Sequence, residues 1–289
     1  MQKKKSLTSP VPGIKNQALK IKYFCPRWGM EHISWNEFGK LVKQAGFDGI
    51  EAFVPFDEQE KKELVSVLKE NELLLIGQYY QSFEKDFELH KDSFKKHLQH
   101  LAGVDPLLID SQTGKDYFTS VQNGELFSIA SEISKKTGVP IAHETHRNKA
   151  LFAAHIAREL FIQNPDIQIT ADFSHWCNVS ESLLEQQPEA VEMAIDRAIH
   201  IHARVGSSQS AQVSDPRAPE WQKELETHLH WWEEIFRHRQ RMGAKVFTIT
   251  TEFGPPPYMP SVPFSGQPLA NQWEINLFMK DLLEKRFNN

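Results

Sequence analysis

Two hydrophobic periods alternate along the chain. Short stretches with a period of two, or with no polar side chain at all, are followed by longer stretches whose apolar residues recur every three to four positions. Lys20-Ile21-Lys22-Tyr23-Phe24-Cys25 alternates as a first strand, and Pro26-Arg27-Trp28-Gly29 ends it. Ser34 is a helix N-cap residue and Glu37, three positions on, completes a capping box. That helix is predicted to run to Gln44, with Gly46 as its C-cap. Phe47–Val54 predicts a second strand that carries Glu51 among apolar residues, and Glu58–Glu72 a second helix. Leu73-Leu74-Leu75-Ile76-Gly77 has no polar side chain, as expected of a parallel strand covered on both faces.

The unit then repeats. Helices are expected over Asp86–Ala102, Asp116–Lys136 (ending at Gly138), Lys149–Gln163 and Ser182–Arg197. Strands are expected between them at Pro106–Asp110, Val139–Glu144, Ile167–Asp172 and Ile199–Arg204. A last strand spans Val246–Glu252, and Asn271–Phe287 closes the chain as a helix. Eight strands, each followed by a helix at a repeat of roughly thirty residues, predict α/β architecture in the form of a single (β/α)8 TIM barrel. A doubly wound sheet typically has fewer strands and a glycine-rich first turn. No G-x-G-x-x-G follows the first strand here. The barrel domain is assigned to residues 19–289, and residues 1–18, with Pro10-Val11-Pro12-Gly13, to a flexible N-terminal arm.

The spacing breaks once. A long polar segment beginning Val205-Gly206-Ser207-Ser208-Gln209-Ser210 separates the last two strands and is expected to serve as a lid or substrate-binding loop. Gly254-Pro255-Pro256-Pro257-Tyr258 is expected to form another pocket wall.

Composition narrows the function classes. A net charge of −5 lacks the basic bias of a nucleic-acid-binding chain. Two cysteines, Cys25 and Cys177, form no disulfide framework and point to a reducing, cytoplasmic setting. No apolar run approaches membrane-spanning length, and no apolar stretch follows the basic start Met1–Lys5, so neither a membrane segment nor a signal peptide is expected.

Four polar groups fall at the ends of consecutive predicted strands five to eight: Glu144, Asp172, His202 and Glu252. In a barrel the active site lies at these C-terminal ends. Parity agrees. Glu144 shares a face with Ala142 and His146, Asp172 with Thr170, His202 with His200 and Arg204, and Glu252 with Thr250. Ile141, Ile169, Ile201 and Ile249 occupy the opposite faces and suit packing against outer helices. Three carboxylates held together would resist ionisation. A divalent cation resolves that repulsion, and three carboxylate oxygens with one imidazole suit Mn²⁺, Mg²⁺, Co²⁺ or Zn²⁺.

Around these strand ends the chain resembles the xylose-isomerase-like TIM barrels, the superfamily of sugar isomerases and epimerases that also has an endonuclease-IV-like branch. The resemblance is most specific in His143-Glu144-Thr145-His146-Arg147, Asp172-Phe173-Ser174-His175-Trp176, His200-Ile201-His202 and Thr251-Glu252-Phe253-Gly254. It implies one metal held by Glu144, Asp172, His202 and Glu252, in the manner of the ketose 3-epimerases. His175 matches the substrate-binding histidine of the family's D-x-x-H motif. Arg204 matches a substrate-contacting arginine, although it follows His202 more closely than in that motif. The implied reaction is a sugar or hydroxy-ketone isomerisation or epimerisation. Glu144 and Glu252 act as base and acid for a proton shift α to a carbonyl, through a metal-stabilised ene-diolate. The resemblance also implies a small-molecule substrate and pairing into a homodimer.

Four further residues are candidates to touch substrate: His146, unless it caps the following helix, together with Glu51, Trp28 and Gln112. Gln78 and Asp110 also end strands near the pocket. His200 is assigned to the barrel core, and His90, His97, His100, His228, His230 and His238 to solvated helix faces. In the xylose isomerases the resemblance implies a second metal and a lysine for a hydride-shift mechanism, and no strand end here supplies a lysine. Three alternatives remain open: a lyase or dehydratase on the same metal site, an endonuclease-IV-like enzyme, and a non-catalytic barrel that binds a sugar or metal.

Overall fold

A computed structural model describes residues 19–287; the arm assigned to residues 1–18 lies outside the described residues. The strands are β1 (Lys20–Pro26), β2 (Gly49–Ala52), β3 (Leu74–Tyr79), β4 (Leu108–Ser111), β5 (Ile141–Glu144), β6 (Gln168–Ala171), β7 (Ala198–His202) and β8 (Val246–Thr250). They pair in parallel in chain order and form a closed barrel. Closure runs through the register Lys20↔Val246 to Phe24↔Thr250 between β1 and β8. The expected (β/α)8 fold is therefore the observed one.

The helices are α1 (Trp35–Gln44), α2 (Glu58–Glu70), α3 (Phe87–Ala102), α4 (Ser120–Thr137), α5 (Ala154–Gln163), α6 (Phe173–Ser180), α7 (Pro188–Arg197), α8 (Gln222–Arg241) and α9 (Gln272–Phe287). The Ser34–Glu37 capping box starts α1 as expected. Three helices begin later than predicted. A capping box between Thr119 and Gln122 starts α4, Ala153 precedes α5, and Pro188 occupies the first turn of α7. In addition, α6 starts immediately after β6. The Asp172 side chain accepts a hydrogen bond from Ser174 N and caps it.

Two apolar layers hold the barrel. Phe24, Ile76, Leu108 and Ala142 form a small cluster separate from the main core. Gly49 leaves room for it, since a Cβ there would come within 2.4 Å of the Phe24 ring. The larger core lies between strands and helices and contains Ile169, Ile201 and Ile249, as parity required.

Two expectations about the outside of the barrel are corrected. His90 and His228 are fully buried rather than solvated. His228 Nδ1 donates to Glu224 O at 2.8 Å, and its Nε2 accepts from Gly206 N at 3.3 Å, so it anchors the long loop after β7. That loop is tied to its neighbours by hydrogen bonds and stands away from the main cavity. Gln212 exchanges two hydrogen bonds with the Gly254 backbone, at 3.1 and 2.8 Å, and no residue between Val205 and Trp221 lines the main cavity.

Candidate active site and metal centre

Parallel strands of similar length place their last residues at one level of a barrel. Glu144 ends β5, Asp172 follows β6, His202 ends β7 and Glu252 lies just past β8. Each offers one ligand atom, and these atoms all lie within 4.8 Å of one another. All four residues are buried. Glu252 sits at φ +44°, a left-handed conformation that a glutamate rarely adopts and that tends to occur where surrounding structure holds a functional residue. Gln78 Nε2 steadies it by donating to Glu252 Oε1 at 3.2 Å.

His202 is the hub. Its Nδ1 lies 2.7 Å from Glu252 Oε2 and 3.3 Å from Glu144 Oε1. None of these three atoms, nor Glu144 Oε2, has a hydrogen-bond partner. Distance brings them together, but the angles make no bond. Four buried polar atoms without a hydrogen bond, three of them meeting others only at ion-pair distance, are energetically expensive. A shared cation would satisfy them, and the oxygen and imidazole donors are those of Mn²⁺, Mg²⁺, Co²⁺ or Zn²⁺ sites. The donor set therefore fits a divalent metal.

The charges agree with that fit. Burial pushes Glu144 up to about 7 against the opposing pull of His202, with Glu252 and Asp172 adding to the rise. Burial also raises Asp172, although Arg204 opposes it. Burial disfavours the charged form of His202, but Glu252, Glu51 and Asp110 outweigh it and hold the imidazole well above its ordinary range. Without a cation, protons do the neutralising, so metal binding would release them.

Two further clusters, Glu51–His200–His202 and Glu144–His146–His175, each share a residue with the main one. Among the described residues they form one connected network rather than independent sites. Glu51 lies behind the centre. Its Oε1 is 3.0 Å from His202 Nε2 and its Oε2 3.3 Å from His200 Nε2, and it accepts from Thr250 Oγ1. Arg204 pairs with Asp172, donates to His175 Nε2 at 2.8 Å and lies over the Tyr258 ring.

Above the centre opens a cavity of about 1090 Å³. Trp28, Gln112, His146, Arg204 and Glu252 reach its wall, as does Gln78. Glu51, Asp110, Glu144, Asp172, His175 and His202 do not, being buried below it. The Trp28 ring rests on Gly254, where a Cβ would come within 2.1 Å of it. Tyr258, from the proline-rich stretch, forms part of the wall as expected. Lys149 also reaches the wall. No strand end carries it. The loop after β5 folds back over the barrel mouth, with Ala150 N donating to Thr113 O at 2.9 Å, and carries Lys149 there. Cys25 and Cys177 are buried free thiols, and burial raises both.

No family model matches the sequence, and no curated protein matches it. Solved structures do match. A xylose isomerase domain-containing protein from Salmonella typhimurium superposes with a TM-score of 0.62 at 12% identity, over 96% of this chain and 99% of that one. The chain shares the TIM-barrel fold of such xylose isomerase-like proteins. Two other barrels of this fold are epimerases. The 3-keto-D-glucoside 4-epimerase from E. coli matches with a TM-score of 0.59 at 15% identity, over 93% of this chain and all of that one. The D-allulose 3-epimerase from Methylomonas sp., in complex with D-allulose, matches with 0.59 at 12%, over 93% and 98%. No described helix of this barrel is long and apolar enough to cross a membrane.

Proposed function

We propose that this barrel is a metal-dependent isomerase or epimerase of a small sugar or hydroxy-ketone, acting by proton transfer α to a carbonyl. The observation that carries the proposal is the convergence of Glu144, Asp172, His202 and Glu252 within 4.8 Å, with four of their buried atoms making no hydrogen bond. A divalent ion at that point would supply Lewis acidity to a substrate carbonyl. Glu252 faces the cavity and takes the substrate's α-proton as general base. Glu144, the second carboxylate beside His202 Nδ1, is its acid partner. Arg204 lines the cavity and, backed by Asp172 and His175, orients the substrate oxygens and shares their developing charge. Trp28 offers an aromatic face to the sugar. The similarity to two epimerases supports the reading at the level of fold.

The test pairs elemental analysis with turnover in heavy water. The wild-type protein is expected to hold about one divalent ion, and His202→Ala to lose most of it. Across a panel of ketoses and inososes, turnover is expected to place solvent deuterium at the α-carbon. Stoichiometric metal in His202→Ala, or turnover without any deuterium in the product, overturns the proposal. Net loss of water from the substrate would assign the same site to a lyase.

A further inference from the structure

One buried cation on the cavity wall has no counter-ion among the described residues. Lys149 is 7% exposed and lines the cavity. Its Nζ donates to Ser82 Oγ at 2.9 Å, and among the described residues it makes no ion pair. Lys115, 9% exposed and without an ion pair among the described residues, lies near enough to repel it. Asp116, Glu84 and Glu144 act on the two lysines only from beyond ion-pair distance. Burial and the charge of Lys115 pull Lys149 down to about 8.

The surroundings are rigid and polar. Asn123 clamps the Lys115 backbone, accepting from its N at 3.4 Å and donating to its O at 3.0 Å. Ser82 Oγ donates in turn to Gly114 O at 3.3 Å. Loops after β3, β4 and β5 thus meet behind one ammonium group. On the same cavity wall Arg147 lies over the Tyr258 ring at 4.7 Å and donates to Asn178 Oδ1 at 3.4 Å. It too lacks a carboxylate partner among the described residues. Arg147 is half-buried and Lys149 buried, and an unpaired buried charge is destabilising until something neutralises it.

We propose that Lys149 and Arg147, backed by Lys115, form an oxyanion subsite, and that the substrate carries a carboxylate or phosphate group besides its reacting carbonyl. Lysine holds such a group as a point charge, and arginine as a planar fork. The Ser82 hydroxyl fixes where the ammonium group points. That the bound anion is part of the substrate rests on the isomerase reading; that the site binds an anion does not.

The test is calorimetric titration of the metal-loaded protein with inorganic phosphate in one arm and acetate in the other. Saturable binding of at least one anion is expected, and the tighter arm identifies the group. Lys149→Gln should weaken it by about tenfold or more, as loss of a charged hydrogen bond does. Lys149→Arg should retain it. His202→Ala, which disrupts the metal centre, should also retain it. The subsite is overturned if neither anion saturates the wild type, if Lys149→Gln binds as tightly, or if His202→Ala abolishes binding. Should Lys149→Gln not fold, Arg147→Gln must weaken the same binding, and unchanged affinity there overturns the proposal. Deuterium exchange on neutral ketoses without anion binding would sink the subsite alone. Anion binding without exchange on any substrate would sink the isomerase reading alone.

Discussion

Glu51 on β2 reaches across the barrel to His202 on β7, its Oε1 lying 3.0 Å from His202 Nε2. A carboxylate on one imidazole nitrogen fixes the tautomer and leaves the other nitrogen to ligate. Here the free nitrogen is Nδ1, which faces Glu252 and Glu144. Glu51→Gln keeps the shape but removes the charge. It is expected to weaken divalent-metal affinity by about 10–100-fold, measured by titration against a competing chelator. Unchanged affinity would show that Glu51 plays no part in holding the ligand.

Glu144→Gln and Glu252→Gln keep an oxygen that can ligate but cannot carry a proton. Each is expected to lower turnover by about 10²–10⁴ while metal content falls less. Steady-state rates and elemental analysis on the same preparations check this. Near-normal turnover in either variant would remove that residue from the acid–base pair.

Acid should destabilise the fold through its buried neutral histidines. Burial lowers His143 from its ordinary 6.5 to about 3 and His228 to about 4. The unfolded chain takes up these protons below about pH 6.5, whereas the folded chain does not. The contribution of each such histidine to stability is therefore flat above that pH and falls as pH drops from about 6.5 toward 4, by up to about 1.4 kcal/mol per pH unit. In His228→Gln the fall between pH 6.5 and 4 should be shallower. Urea midpoints across that range measure it, and an unchanged slope would count against the buried neutral state.

Gly206 tests how tightly the loop after β7 is seated. A Cβ there would come within 2.6 Å of Ser174 Cβ and 2.7 Å of its Cα and O, at the start of α6. Backbone cannot move aside as a flexible side chain can, so Gly206→Ala is expected to destabilise by about 1–3 kcal/mol. It should also disturb Asp172, whose Oδ1 accepts from Ser174 N at 3.1 Å. A thermal-unfolding midpoint equal to wild type would show that the loop is free to shift.

Local patterns already spell out the barrel. Period-two strands, period-3.6 helices and the Ser34–Glu37 cap are short-range features that folding leaves in place. Parity also marks Glu144, Asp172, His202 and Glu252, because consecutive parallel strands put equivalent positions at one level. What lies behind and above that level depends on closure of the ring. Closure brings Glu51 to His202, Ser82 to Lys149, and His175 to Arg204 beneath the cavity, across separations of 151, 67 and 29 residues. No periodicity connects residues so far apart. The start of α6 lay closer to hand, since aspartate at Asp172 is a strong N-cap, yet the strand pattern running into it hides the cap. His90 and His228 look like surface residues of amphipathic helices until loops cover them. Lys149 likewise reads as the first residue of a helix, whereas the helix starts at Ala154 and leaves it in the loop after β5. Only tertiary structure buries it beside Lys115 and away from any carboxylate partner, because burial and pairing are properties of the assembled loops and not of the strand that precedes them.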